Sequence, residues 1–404
     1  MNQKNTSEYI PGLPLLILLC FIVSACSGSP EIELPEEIVS LENVSLFDSN
    51  TEPSGELTLT RDASFGDTDD VFLGGWLMTH VDDRGRVYIA DNSETILHLY
   101  NADGTYNRSI GREGDGPGEY RNITSIQTDD AYLHLYDRNS TRITRYNIDS
   151  FDVAGDVSID FETNFDSEFF RSIHSAQIFD DEYYLMNFGM GFSAASRDAD
   201  QSERRIEGEL MHRETGKFNG QQIYSFPAGE SLVEFRNDGS MSVMSVPYKR
   251  SSVVRFSNNG FVHGHAEHFL FRFFDMDGNY IRSVYYDYEN PALDRNEVLA
   301  LYDNHDVQWQ NMVRNDRMPE TRPSWSDFHV DDESRIWVLR NTDDRDAPEY
   351  HILSENGDLL AIHPWESGNL LQTVKNGYLY SMEENEEGLN EVVKYRIEIS
   401  GVSF

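Results

Sequence analysis

Six copies of a strand–turn–strand unit, a second hairpin after most of them, and a chain that ends one strand short together predict an all-β fold. That fold is a six-bladed β-propeller of four-stranded antiparallel blades. The copies are residues 80–92, 127–139, 178–189, 256–268, 329–341 and 374–385. In each, an apolar strand enters an Asp/Asn/Gly turn, as at Asp82-Asp83-Arg84-Gly85, and a second strand ends in polar residues.

The second hairpins occupy residues 96–110, 271–284 and 351–363, with a looser version at 209–224. Alternating apolar residues around turns such as Asn101-Ala102-Asp103-Gly104 give the period-2 pattern of half-buried strands. The sixth unit has a third strand at 391–399 and no fourth. Residues 55–64 supply the missing strand, so pairing the two ends closes the ring and removes the free sheet edges. Two spacings are long. Gly191 to Arg205 is polar and reads as an exposed loop. Residues 294–313 carry helical spacing at Val298, Leu301, Tyr302 and Trp309, ended by Arg317 to Pro323, and read as a small helical insertion.

Residues 1–25 read as a targeting leader: Lys4, then the apolar run from Gly12 to Val23, too short to cross a bilayer. It ends in Val23-Ser24-Ala25-Cys26, which resembles the lipobox of bacterial lipoproteins. That resemblance implies cleavage before Cys26, lipidation of its thiol and anchoring of the chain in the cell envelope by acyl chains. Ser27 after the cysteine favours the outer membrane. Residues 26–54 are rich in Glu, Pro, Ser and Asn and read as an acidic tether, with short ordered pieces around Ile38 to Phe47, before a propeller domain at 55–404. With Cys20 in the leader, the mature chain keeps one cysteine, so no internal disulfide staples the domain.

The segment from Val81 to Asn92, the strand from Ile96 to Gly104, and the crossing Gly111, Gly114, Gly116, Pro117, Gly118, Glu119 and Tyr120 together resemble the NHL-like six-bladed propellers. More narrowly they are similar to the lipoprotein branch found in bacterial envelopes. The resemblance covers about residues 56–399. It implies the propeller fold and an envelope location, and it names no reaction. The glycines of the crossing supply positive φ rather than a phosphate cradle, because strands flank both sides and no Lys-Ser/Thr follows.

Charge narrows the partners. With 71 acidic against 32 basic residues, the net charge of −39 leaves no basic footprint for nucleic acid. The polar connections on one face collect Asp91, Asn92, Arg112, Asp115, Glu119, Arg121, Asp137, Arg138, Arg340 and Asn341, a candidate binding face for a carbohydrate, peptide or envelope protein. Two histidine sets are candidate metal ligands: His263, His265 and His268 along one strand, or His80 with His329 at matching positions in two copies. Some six-bladed relatives are hydrolases or lyases, so a Ca²⁺- or Zn²⁺-dependent hydrolase or lyase is the alternative to a binding module. There is no Gly-x-Ser-x-Gly and no cysteine nucleophile in the domain, which favours binding over catalysis. The expected form is a monomer.

Overall fold

The structure, a computed structural model, describes residues 34–66, 71–257 and 259–401. The leader and Cys26 lie outside these residues. Six antiparallel sheets of four strands follow the predicted units. Blade 1 comprises Leu77–Val81, Val87–Asp91, Ile96–Tyr100 and Tyr106–Ile110, and blade 2 Ile123–Thr128, Tyr132–Asp137, Arg142–Asn147 and Val153–Ser158. Blade 3 comprises Phe169–Ile178, Tyr183–Phe192, Arg205–His212 and Phe218–Pro227, and blade 4 Ser252–Ser257, Gly260–His265, Phe269–Asp275 and Tyr280–Tyr286. Blade 5 comprises Trp325–Val330, Ile336–Arg340, Glu349–Leu353 and Leu359–Pro364. Blade 6 takes Leu370–Lys375, Tyr378–Glu384 and Asn390–Ser400 from the end of the chain and Glu56–Phe65 from its beginning. The closing pair runs from Glu56 opposite Ser400 to Phe65 opposite Val392, with a bulge between Arg61 and Ala63.

The Asp-containing turns set the register. Asp82 is buried and accepts from the backbone N–H of Arg84 and Arg86, from Arg86 Nε at 2.6 Å and from the Tyr88 hydroxyl. Asp331 repeats the arrangement with Glu333, Arg335 and the indole N–H of Trp337. A carboxylate is needed because one small side chain must accept four donors at the mouth of a tight hairpin. The second residue of each pair makes links to blade 6: Asp83 pairs with Lys375 at 2.8 Å, and Asp332 accepts from the N–H of Asn376. Blade 6 is thereby tied to both neighbours.

An apolar layer fills each seam between blades. Tyr88, Leu97, Leu99 and Ile110 of blade 1 meet Ile123, Ile126, Leu133 and Tyr146 of blade 2. Phe271, Trp325, Phe328 and Val338 join blades 4 and 5, and Leu57, Trp337, Ile352 and Leu379 join blades 5 and 6. The seam between blades 3 and 4 holds the smallest layer, built on Leu185, Leu210, Ile223, Tyr224 and Phe261.

Three features depart from expectation. The stretch read as a tether up to Ser54 is docked on the domain from Leu34 onward. Val44–Phe47 adds a fifth, parallel strand to blade 4, Phe47 stacks on Tyr286 at 4.7 Å, Ile38 packs with Leu270 and Tyr285, and Ser54 and Gly55 bond carbonyls of blade 5. Ile38 is buried, Leu34, Leu41 and Val44 are half-buried against the same cluster, Val39 and Leu46 stay exposed, and Glu37 pairs with Arg272. The loop from Gly191 to Arg205 folds into two 3₁₀ turns anchored by buried Ser193 and Ser196, whose hydroxyls donate to carbonyls of Ser167 and Glu168. The insertion forms helices Arg295–Leu301 and Val307–Asn315, near the expected span. It shares a small core with an unforeseen hairpin, Leu232–Phe235 and Met241–Met244.

Candidate functional site: the central channel

Side chains on successive strand residues point to opposite sides, so one register position repeated around the ring builds one layer of the axial channel. That layer is His80, Gln127, Gln177, Arg255, His329 and Thr373, one from each blade, all lining a cavity of about 760 Å³. Its size lies within the range of small-molecule sites. His80 Nε2 lies 2.9 Å from Thr128 Oγ1. The Gln127 amide donates to Gln177, and its carbonyl accepts from the Ile178 N–H at 2.6 Å. Arg255 donates to Asp327 at 2.8 Å and to the Phe328 carbonyl, which leaves Asp327 3.6 Å from His329 Nε2.

Two polar groups of the wall are unspent. Thr79 Oγ1 is buried with no hydrogen-bond partner, and Gln372 has none among the described residues. Of the described lining residues, Asp83 is the one carboxylate, and Lys375 neutralises it. The channel is therefore nearly free of the acidic charge that dominates the rest of the chain. Burial lowers His80 to about 4, with Asp82 opposing and Lys375 assisting. Burial likewise lowers His329 to about 4, opposed by Asp327. His174 is lowered by burial and by the nearby Arg138 and Arg204. All three imidazoles are neutral near pH 7, each able to donate at one nitrogen and accept at the other.

The cavity is not symmetric. It runs outward between blades 3 and 4, where Asn187, Ile206 and Tyr224 join Val254 and Phe256 in its wall. Glycines make the room. A methyl group at Gly189 would lie 2.4 Å from the His174 ring, and one at Gly208 2.3 Å from the Tyr224 ring, so both rings lie against bare backbone. Tyr224 then donates to Asn187 Oδ1 at 2.6 Å, and Asn187 donates to Ser175 Oγ.

The histidines placed at matching positions in copies one and five, His80 and His329, both face the channel. The other set does not gather. His263 is buried, stacked on Phe226 at 3.9 Å with Nε2 3.1 Å from Ser252 Oγ, and burial holds it well below the ordinary histidine range. Among the described residues no group of three or more His, Cys, Asp or Glu side chains is placed to hold a metal ion. The expectation of a metal on His263, His265 and His268 is corrected accordingly.

The polar face forms as a face, but its members are largely bonded to one another. Asp91 is buried and accepts from the N–H groups of Gly74, Ser93 and Glu94; Asp137 accepts from those of Arg121, Asn122, Asn139 and Ser140. Asn92 exchanges two hydrogen bonds with the backbone of Ile123. Arg121 grips Asp115 through two bonds of 2.6 Å, Arg112 pairs with Glu119, and Arg340 lies over Tyr288 within 3.3 Å of Glu349. Arg138 is exposed near His174, and Asn341 borders a second cavity beneath the helical insertion. Gln127, Gln177, Arg255 and Thr373 were not singled out from sequence. Gln127 holds in its copy the sequence position of His80 and His329, but Gln177, Arg255 and Thr373 lie one residue before their copies, so strand pairing and not the repeat alignment brings them to the same layer.

Comparison with known proteins agrees with this architecture. Residues 67–249 match a family model, DUF5128, described as a 6-bladed beta-propeller. No curated protein matches the chain. A Bacteroides fragilis structure, named as that of a candidate exported protein, superposes with a TM-score of 0.51 at 14% identity, covering 88% of this chain and 99% of its own. A DUF4221-family structure from Bacteroides vulgatus gives 0.51 at 12% identity, covering 86% and 99%. At these identities the likeness is one of fold.

The neutral histidines have a consequence for stability. Because their folded pKa values lie below the unfolded value of 6.5, the unfolded chain binds more protons between about pH 6.5 and 4. Stability is therefore lost as pH falls through that window. Melting temperatures measured from pH 7 to 4.5 should decline less steeply in a His80→Gln/His329→Gln double variant than in the wild type. Parallel curves would show that these rings do not stay neutral in the folded state.

Proposed function

We propose that this chain is an exported, lipid-anchored protein of the bacterial envelope whose propeller is a binding module, with a carbohydrate as the ligand of its central channel. The observation that carries the binding reading is the composition of the channel wall. Six blades contribute amide, hydroxyl, imidazole and guanidinium groups, and Asp83, the carboxylate of the described lining, is neutralised by Lys375. A hydroxyl-rich, uncharged ligand exchanges hydrogen bonds with such groups without the cost of burying an unpaired charge. Thr79 and Gln372 supply unspent donors and acceptors, and the extension along Asn187 and Tyr224 gives an elongated molecule a direction to lie in. The location reading is supported by the leader and the Val23-Ser24-Ala25-Cys26 sequence, and by the name of the B. fragilis protein.

Screening the mature domain against a glycan array, followed by calorimetry on each hit, tests the first part. A saccharide should bind, and Gln372→Leu should weaken it by about 5- to 10-fold, the loss of one or two buried hydrogen bonds. A hit indifferent to Gln372→Leu, or no saccharide hit at all, would count against a carbohydrate channel. For the anchor, Cys26→Ala should move the expressed protein from the membrane fraction to the soluble fraction and abolish incorporation of labelled fatty acid. Unchanged partitioning would contradict lipidation at this residue.

A further inference from the structure

The helical insertion does more than cover the ring. Its helix Arg295–Leu301, the turn at Pro247 and Tyr248, the end of the second strand of blade 5, and the crossing from blade 5 to blade 6 enclose a separate cavity of about 240 Å³. Val298, Tyr248 and Trp365 are buried in its walls, and Leu293, Leu301 and Leu339 add half-buried apolar surface. Trp365 is fixed in place by its own N–H, which donates to the Asn369 carbonyl at 2.9 Å. The volume falls below the roughly 300 Å³ at which drug-sized sites begin. It suits a ligand the size of one amino acid.

The rim gives the chemistry. Arg322 and Arg345 stand on it, and so do Glu297 and Glu366. Arg322 is half-buried and donates only to the carbonyls of Thr342 and Asp343. Among the described residues none of these four side chains has an opposite charge within ion-pair distance. The third acidic group of the rim, Asp294, is already used as the cap of the helix, accepting from the Asn296 N–H at 2.7 Å. Glu297, Asp343 and Asp344 act on Arg322 through space without pairing with it. Two unpaired cations and two unpaired carboxylates around an apolar floor thus favour a ligand that carries both signs next to an apolar body. A purely anionic guest would leave Glu297 and Glu366 unanswered, and a purely cationic one would leave the arginines so.

We propose that this cavity is a second binding site, independent of the channel, for a free α-amino acid with a large apolar or aromatic side chain. The side chain enters between Val298, Leu301, Leu339 and Trp365. The α-carboxylate meets Arg322 and Arg345, and the ammonium meets Glu297 and Glu366.

Calorimetry on the folded domain with phenylalanine and leucine tests this, against phenethylamine, 3-phenylpropanoate and glycine as probes that each lack one part. The expected result is binding of both amino acids with a Kd of roughly 100 μM or tighter, and at least about 10-fold weaker binding of every partial probe. Leu301→Phe, which fills the cavity, should abolish binding while the melting temperature shows the domain still folded. Arg345→Gln, at an exposed side chain, should weaken phenylalanine about 10-fold and leave phenethylamine unaffected. The proposal is overturned if neither amino acid binds at about 1 mM, if phenethylamine or 3-phenylpropanoate binds as well as phenylalanine, or if both variants bind like the wild type.

Discussion

Glu56–Phe65 lies along Asn390–Ser400 through nine registered pairs, and through that pairing the two ends of a long chain become one sheet. Arg61 bonds both oxygens of Glu391, and Lys394 reaches both Asp62 and the Ala102 carbonyl of blade 1. Leu57 joins the apolar layer between blades 5 and 6, while Phe65 joins the layer between blades 6 and 1. The closing strand is thus wedged into two seams at once. Without it blade 6 would expose an edge and lose part of both layers, and the ring would have no reason to hold its curvature.

The channel depends on that closure. Its wall is one layer of side chains delivered by six separate sheets, so its dimensions are set by how the blades meet, not by any local motif. All six seams are filled with large apolar residues, and the one between blades 3 and 4 holds the smallest layer. There the His174 and Tyr224 rings lie against the bare backbone of Gly189 and Gly208, and the cavity extends along them. The same closure explains the neutral histidines: His80 and His329 are held in a narrow space where a charged imidazole would be poorly solvated.

Much of this was legible in the sequence because the repeat carries its own punctuation. Asp82 and Asp331 announce their turns, since only a short acceptor satisfies the crowded donors there, and alternation fixes which residues face the seams. The position of His80 and His329 on the channel followed from the same repeat. The wall itself did not, because Gln127, Gln177, Arg255 and Thr373 share a register position and not a residue type. The polar face misled in a different way. Asp91, Asn92 and Asp137 are the residues a binding site would use and also the residues a loop uses to satisfy its own N–H groups, and composition does not separate the two. The hairpin at Leu232–Met244 was signalled by Asp238-Gly239, but its four-residue strands were too short to show a period. Short ordered pieces around Ile38 to Phe47 were legible, but not that residues 34–55 dock on the domain, because few apolar side chains, Ile38 and Phe47 chief among them, hold them there.

The central claim is that the propeller is one cooperative ring sealed by its first and last strands. Native-state hydrogen exchange tests it directly. The amides paired between residues 57–65 and 391–399 should exchange only through the slowest, global opening, with the same dependence on denaturant as the inner strands of blades 2 and 3. If the closing pair instead exchanges through a local opening well below the global free energy, while blades 2 and 3 stay protected, the ring is not sealed there and this account of the channel fails.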